Sequence, residues 1–336
     1  MKCQQQTNAL MILVAATVFL VSTENSVARP DRWKMEGWAN TDFTKTSVDF
    51  GEILSGGPPK DGIPSIDTPK FRRVADETST ADQAPVVGLT INGEARAYPL
   101  SVLMWHEIVN DTVGGRPVTV TYCPLCNAAI VFDRGLNGQL LDFGTTGKLR
   151  NSDLIMYDRQ TQTWWQQFTG EAIVGALLGR ELEIVPSRLE SWLEFRGRNP
   201  KGRILIPNNP KMRAYGRNPY VGYDTAARPF LYSGDLPKNI NPMARVVVVR
   251  QNSDIEATSL EVLRKKKTMK LGSVTLRWQA GQSSALDAGA IAEGRDVGTI
   301  TAQRTDRIGR WRDVAYDVTF AFVVYAFHPK LRIVTD

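Results

Sequence analysis

The chain has 336 residues, with 41 Lys and Arg against 35 Asp and Glu, a net charge of +6, two His and three Cys. That length buries a substantial core without a metal or disulfide for basic stability. A charge this modest for the size fits anionic ligands or cell-envelope surfaces and gives no reason to expect nucleic acid.

The chain opens with Lys2, an apolar run from Ala9 to Val21, and the small residues Ser26-Val27-Ala28. This pattern predicts a signal peptide over residues 1–28, cleaved near Ala28, and export to the periplasm or beyond. A retained anchor is the alternative, but the run is short for a bilayer and no stop-transfer pattern follows. Cys3 precedes the run, so it is no lipoprotein acceptor, and cleavage removes it. No later segment reads as a membrane span. The mature chain then holds Cys123, Cys126, His106 and His328, and any site needing thiol or imidazole must draw on these.

Residues 29–70 read as an irregular arm broken by Gly56-Gly57-Pro58-Pro59 and Gly62-Ile63-Pro64, with Trp33, Trp38 and Phe50 to anchor it. A principal domain is expected over 71–330 and a tail over 331–336. Val86–Ile91 and Ala95–Pro99 flank Asn92-Gly93, a hairpin signal. Ser101 is a plausible N-cap for a helix through Asn110. Alternating runs before Cys123 and after Asn127 predict two strands around the cysteines. Leu154–Tyr157, Thr163–Phe168, Glu181–Val185, Ala244–Arg250, Val274–Gln279 and Thr299–Gln303 read as further strands. Short helices are expected from Ser187 to Phe195 and from Ser259 to Lys267, and Val318–Phe327 is a long apolar segment before His328-Pro329. No short-period repeat is evident. The expected fold is β-rich α+β, with a barrel- or sandwich-like antiparallel core and a few short helices.

Cys123-Pro124-Leu125-Cys126 sits in a turn between strands, whereas a thioredoxin-type pair opens a helix. A Cys-Pro-x-Cys turn followed by Asn127 looks like a metal knuckle, yet the second cysteine pair of a zinc ribbon is absent. His106, His328 or carboxylates such as Glu107 and Asp133 would have to complete a copper or zinc site. Two other readings stay open: a thiol–disulfide redox pair, and a binding module in which the cysteines form a structural disulfide. The latter would close a loop too short to constrain much of the unfolded chain. Gly144-Thr145-Thr146-Gly147-Lys148 lacks the Walker spacing and reads as a tight turn, and no nucleotide cofactor is expected. The basic stretch around Arg213 and Arg217 is a weaker candidate for an anionic envelope ligand.

Several segments together resemble a mainly bacterial family, domain-of-unknown-function family 3179. They include Ala97-Tyr98-Pro99-Leu100, His106-Glu107-Ile108-Val109-Asn110-Asp111, Val120-Thr121-Tyr122-Cys123-Pro124-Leu125-Cys126, Tyr157-Asp158-Arg159, Tyr215-Gly216-Arg217-Asn218-Pro219-Tyr220 and Ala326-Phe327-His328-Pro329. The resemblance runs from about Phe71 to Pro329. It implies no particular reaction.

Overall fold

The computed structural model describes residues 30–251 and 254–336; the expected signal peptide, with Cys3 and Ala28, lies outside them. The fold is β-rich, mostly antiparallel, with α-helices of at most seven residues. Among the described residues, no helix is long and apolar enough to cross a membrane. In the arm, Trp33 and Trp38 are buried against Trp164, at ring separations of 4.9 and 5.1 Å.

Strand β1 (Pro85–Ile91) turns at Asn92 and Gly93, both at positive φ, into β2 (Glu94–Pro99). Helix α1 (Leu100–His106) follows at once and ends sooner than its sequence suggested. Glu107 breaks it at φ 56°, and the β-branched residues after it enter β3 (Ile108–Val113). Strands β4 (Arg116–Cys123) and β5 (Ala128–Asp133) complete a three-stranded meander.

The stretch 134–187 then forms an insert. Its strands β6 (Phe143–Arg150), β7 (Asp153–Asp158), β8 (Trp164–Gln166) and β9 (Ala172–Val174) make one sheet with Ile53–Ser55 of the arm. The glycine-rich segment expected as a tight turn lies inside β6, where the pairing slips between Thr145 and Lys148. Gly147 sits there at φ 70°, and a Cβ would fall 1.9 Å from the Pro58 carbonyl oxygen, so only glycine fits. The segment expected as a strand from Glu181 to Val185 makes only isolated bridges, Glu171 to Glu181 and Phe132 to Ile184. Instead β10 (Arg188–Ser191) pairs antiparallel with β1. Ser191, rather than Ser187, caps α2 (Trp192–Arg198), and β11 (Arg203–Ile206) returns parallel to β2.

The same path is then walked again. Strands β12 (Arg245–Gln251) and β13 (Asp254–Ser259) lead into α3 (Leu260–Lys266). A meander follows, β14 (Thr268–Leu271), β15 (Val274–Gln279) and β16 (Thr299–Thr305). The apolar segment ending at Phe327 splits into β17 (Tyr316–Phe320), antiparallel to β12, and α4 (Ala321–Phe327). Finally β18 (Ile333–Val334) lies parallel to β13. The chain is therefore an internal duplication at the level of topology, β10-β1-β2-β11 matching β17-β12-β13-β18. Small backbone details recur as well. Glu107 and Lys267, each after its helix, have φ/ψ of 56°/−31° and 60°/−34°. Asn199 and His328 have −127°/63° and −134°/64°. The insert and sparse side-chain identity hide this repeat from a short-period scan.

The two copies pack reciprocally around one continuous apolar core. Strand β17 of the second copy bears on the turn after β4 of the first, and β10 of the first bears on β16 of the second.

Candidate metal centre

Strand β4 delivers Cys123, and the turn closes when the Asn127 N–H donates to the Pro124 carbonyl at 3.1 Å. Asn127 takes φ 53°, a left-handed position that asparagine tolerates. The turn is also gripped from the second copy. The Cys126 carbonyl accepts from Thr319 Oγ1 at 2.7 Å, and Asn127 Nδ2 donates to the Val318 carbonyl at 2.8 Å. With its backbone held on both sides, the turn presents two thiols in a defined direction.

The insert faces them. Its β6–β7 hairpin turns at Asn151 and Ser152, both at positive φ, and aims the Ser152 carbonyl at both sulfurs, 3.5 Å from Cys126 Sγ and 3.8 Å from Cys123 Sγ. Asp153 follows at the head of β7. One ligand atom each from Cys123, Cys126 and Asp153 lies within 4.8 Å of the others, and all three residues are buried. Both cysteines are free thiols. Asp153 Oδ2 accepts from Gln166 Nε2 at 2.6 Å and from the Phe168 N–H at 2.9 Å, while its Oδ1 is buried without a partner.

Electrostatics set this corner apart. Burial pushes the Asp153 carboxyl up to about 6 and both thiols upward. Burial, with Asp153 adding repulsion, raises Glu107 to about 8. Among the described residues, neither Asp153 nor Glu107 has an ion-pair partner. Three acidic groups thus converge out of water, and among the described residues no basic side chain pairs with Asp153 to balance them. Only protons or a metal cation can do so.

A family model described as a protein of unknown function (DUF3179) matches residues 60–331. The chain belongs to that family. No curated protein and no solved structure matches it.

Within the DUF3179 domain, neither histidine is part of the thiol–carboxylate group. His106 donates from Nδ1 to the Pro64 carbonyl at 2.7 Å, because a carbonyl can only accept. Its Nε2 then accepts from the Tyr215 hydroxyl at 2.7 Å. Both ring nitrogens are occupied by structure, and burial lowers the imidazole pKa, with the Arg213 charge adding to the effect. His328 ends α4, its N–H donating to the Val324 carbonyl at 2.8 Å, with its ring 6.1 Å from that of Phe168. Burial and Arg250 lower it to about 4. Asn199 holds the matching position in the first copy, so both copies end their second helix in the same backbone conformation, and His328 Nε2 is buried without a hydrogen-bond partner among the described residues.

Arg217 is exposed on the loop after β11, and Arg213 lies beside His106. Asp133 is taken by Arg116 at 2.6 Å. Asp153 had no sequence signal, being an acidic residue far along the chain from the cysteines. Glu107 was in view, but extending the helix to Asn110 pointed its side chain elsewhere.

Proposed function

We propose that this is an exported zinc-binding protein whose closed metal centre is built on Cys123, Cys126 and Asp153. The observation carrying this reading is the buried Asp153 Oδ1, without a hydrogen-bond partner, beside two free thiols, with no basic side chain among the described residues paired to the group. Two sulfurs and a carboxylate suit zinc, a borderline ion bound by Cys, His and Asp or Glu alike. Copper(I), the other candidate from sequence, favours thiolate and thioether donors and gains little from a carboxylate. A site shut from solvent is of the structural kind, since catalytic zinc keeps an open position. The metal would pin the insert to the first copy, joining β4 and β7 beside the Ser152 carbonyl that meets both thiols.

Raised thiol pKa values and the lack of a helix N-terminus at the turn weigh against thiol–disulfide exchange as the role of the pair. Export rests on the N-terminal sequence and is checked by N-terminal sequencing, which should begin at Arg29. The zinc reading is tested by metal analysis of untagged protein purified without chelators. One zinc per chain is expected in the wild type and none in Cys123→Ser. A wild type that stays metal-free after incubation with Zn²⁺ rejects it.

A further inference from the structure

Helices α1 and α3 hold the same place in the two copies, and at their fifth residue they part. In the first copy that residue is Met104, 4% exposed, and it lies on one helix face with the buried Leu100. In the second copy it is Arg264, exposed, one turn after the buried Leu260. The face that α1 covers is therefore open on α3. It forms one wall of a cleft of about 710 Å³, whose lining includes Leu260, Arg264, Ile240, Arg245 and Arg295. That volume is of the size that small-molecule sites use.

The charged groups of this cleft leave donors unspent and acceptors used. Asp224, whose side chain is fully buried, accepts at Oδ2 from Arg245 Nη2 at 3.0 Å, Ser284 Oγ at 2.5 Å and Arg295 Nη2 at 2.8 Å, and at Oδ1 from Arg295 Nη1 at 3.0 Å. Asp296 spends both oxygens on the N–H groups of Gly281, Gln282 and Gly298. Glu261 pairs with Lys265 at 2.7 Å. Arg245 differs. Its side chain is only 8% exposed and is fixed by Asp224, by Ser284 and by the Phe320 ring 5.8 Å away. Yet all its hydrogen bonds run through Nη2. Among the described residues Nη1 has no partner, and Nε is buried without one. Arg264 makes no ion pair or hydrogen bond among the described residues. A buried, positioned guanidinium with free N–H groups calls for an acceptor, and a planar guanidinium matches a carboxylate or phosphate best.

We propose that this cleft binds a small organic anion, its oxyanion group held by Arg245 and Arg264 and its body lying against Ile240 and Leu260. The site belongs to the second copy and is separate from the proposed metal centre, so neither reading depends on the other.

The test titrates the full mature chain by calorimetry with glucuronate and with glucose 6-phosphate at millimolar concentration, glucose serving as the neutral match and sodium chloride holding ionic strength constant. Saturable binding of at least one charged sugar is expected, with none of glucose. Glucuronate alone would mark a carboxylate ligand, glucose 6-phosphate alone a phosphate ligand, and both together a site that reads the shared oxyanion. Arg264→Met copies the first-copy residue at an exposed position, so the fold should stand. Its affinity should fall about 10-fold or more, the scale of a lost charge-assisted hydrogen bond. Arg217→Gln, on the exposed loop after β11, should bind as the wild type does. No binding of either charged sugar, equal binding of glucose, or an unchanged affinity in Arg264→Met overturns the proposal. A loss in Arg217→Gln in place of Arg264→Met overturns it too, by moving the anion to that loop.

Discussion

The first and second copies of the fold share a backbone and differ in what hangs on it. They agree where packing and turns dictate: Leu100, Val102 and Leu103 on α1 correspond to the buried Leu260, Val262 and Leu263 on α3. Asn199-Pro200-Lys201 and His328-Pro329-Lys330 end their second helices alike. They diverge at three places. The connection after the middle meander strand is the Cys123–Asn127 turn in one copy and the long stretch 280–298 in the other. The joint residue is an inward glutamate in one and a surface lysine on Trp278 in the other. The sheet carrying Asp153 is inserted only in the first. All the candidate ligands fall at points of divergence, and none at points of agreement. A duplicated scaffold can keep one copy for packing and load the other with chemistry, because the reciprocal contacts hold both in place.

Four measurements probe that contrast. The largest effect should come from Asp153→Asn, which removes the proposed ligand that the second copy lacks; zinc affinity should fall at least about 100-fold, read by chelator competition. Retained affinity would place the metal elsewhere. Next comes pH. The folded metal-free chain holds the Glu107 proton up to about 8, whereas the unfolded chain releases it near 4.5. The folded state therefore binds more protons between these values, and stability falls as pH rises across that window. The loss is on the order of a few kcal/mol, with Asp153 adding to its lower end. Denaturation curves of the apo protein at pH 5 and pH 8 should show it, and Glu107→Gln should flatten it.

A smaller difference is expected at the joint itself. Glycine relieves the strained φ in either copy, worth about 1 kcal/mol. Glu107→Gly should stabilise the apo protein by that amount. Lys267→Gly should come out near neutral, because it also gives up a cation–π contact of roughly 0.5–1 kcal/mol. Equal thermal shifts in the two variants would mean the side chains do not differ in role. Last, His328→Asn copies the first-copy residue at the same backbone position. Zinc affinity should stay within about twofold of wild type, and a large loss would restore His328 to the ligand set.

Much of the architecture was legible as sequence. The hairpin at Asn92-Gly93, the strands on both sides of the cysteines and Asn127 in a left-handed turn all follow from local chemistry. Boundaries failed where local preference was balanced. His106 to Asn110 reads equally as the end of an apolar helical stripe, and only the break at Glu107 ends α1 there. Val318 to Phe327 is apolar throughout, so periodicity could not show that β17 changes to α4 at Ala321. The histidines drew attention because they are scarce. Scarcity says nothing of direction, and His106 spends both nitrogens on Pro64 and Tyr215.

Taken by itself, the sequence determined a β-rich domain, an N-terminus that reads as an export signal, and a paired-thiol turn between two strands. These are local properties, set by residue type and spacing within a few positions. Tertiary structure alone decided that the domain is a duplication and that Asp153 stands opposite Cys123 and Cys126. It also decided that Glu107 faces inward while its counterpart Lys267 faces out. Those outcomes depend on how distant strands pair and where an insert folds back, and no local preference along the chain encodes that.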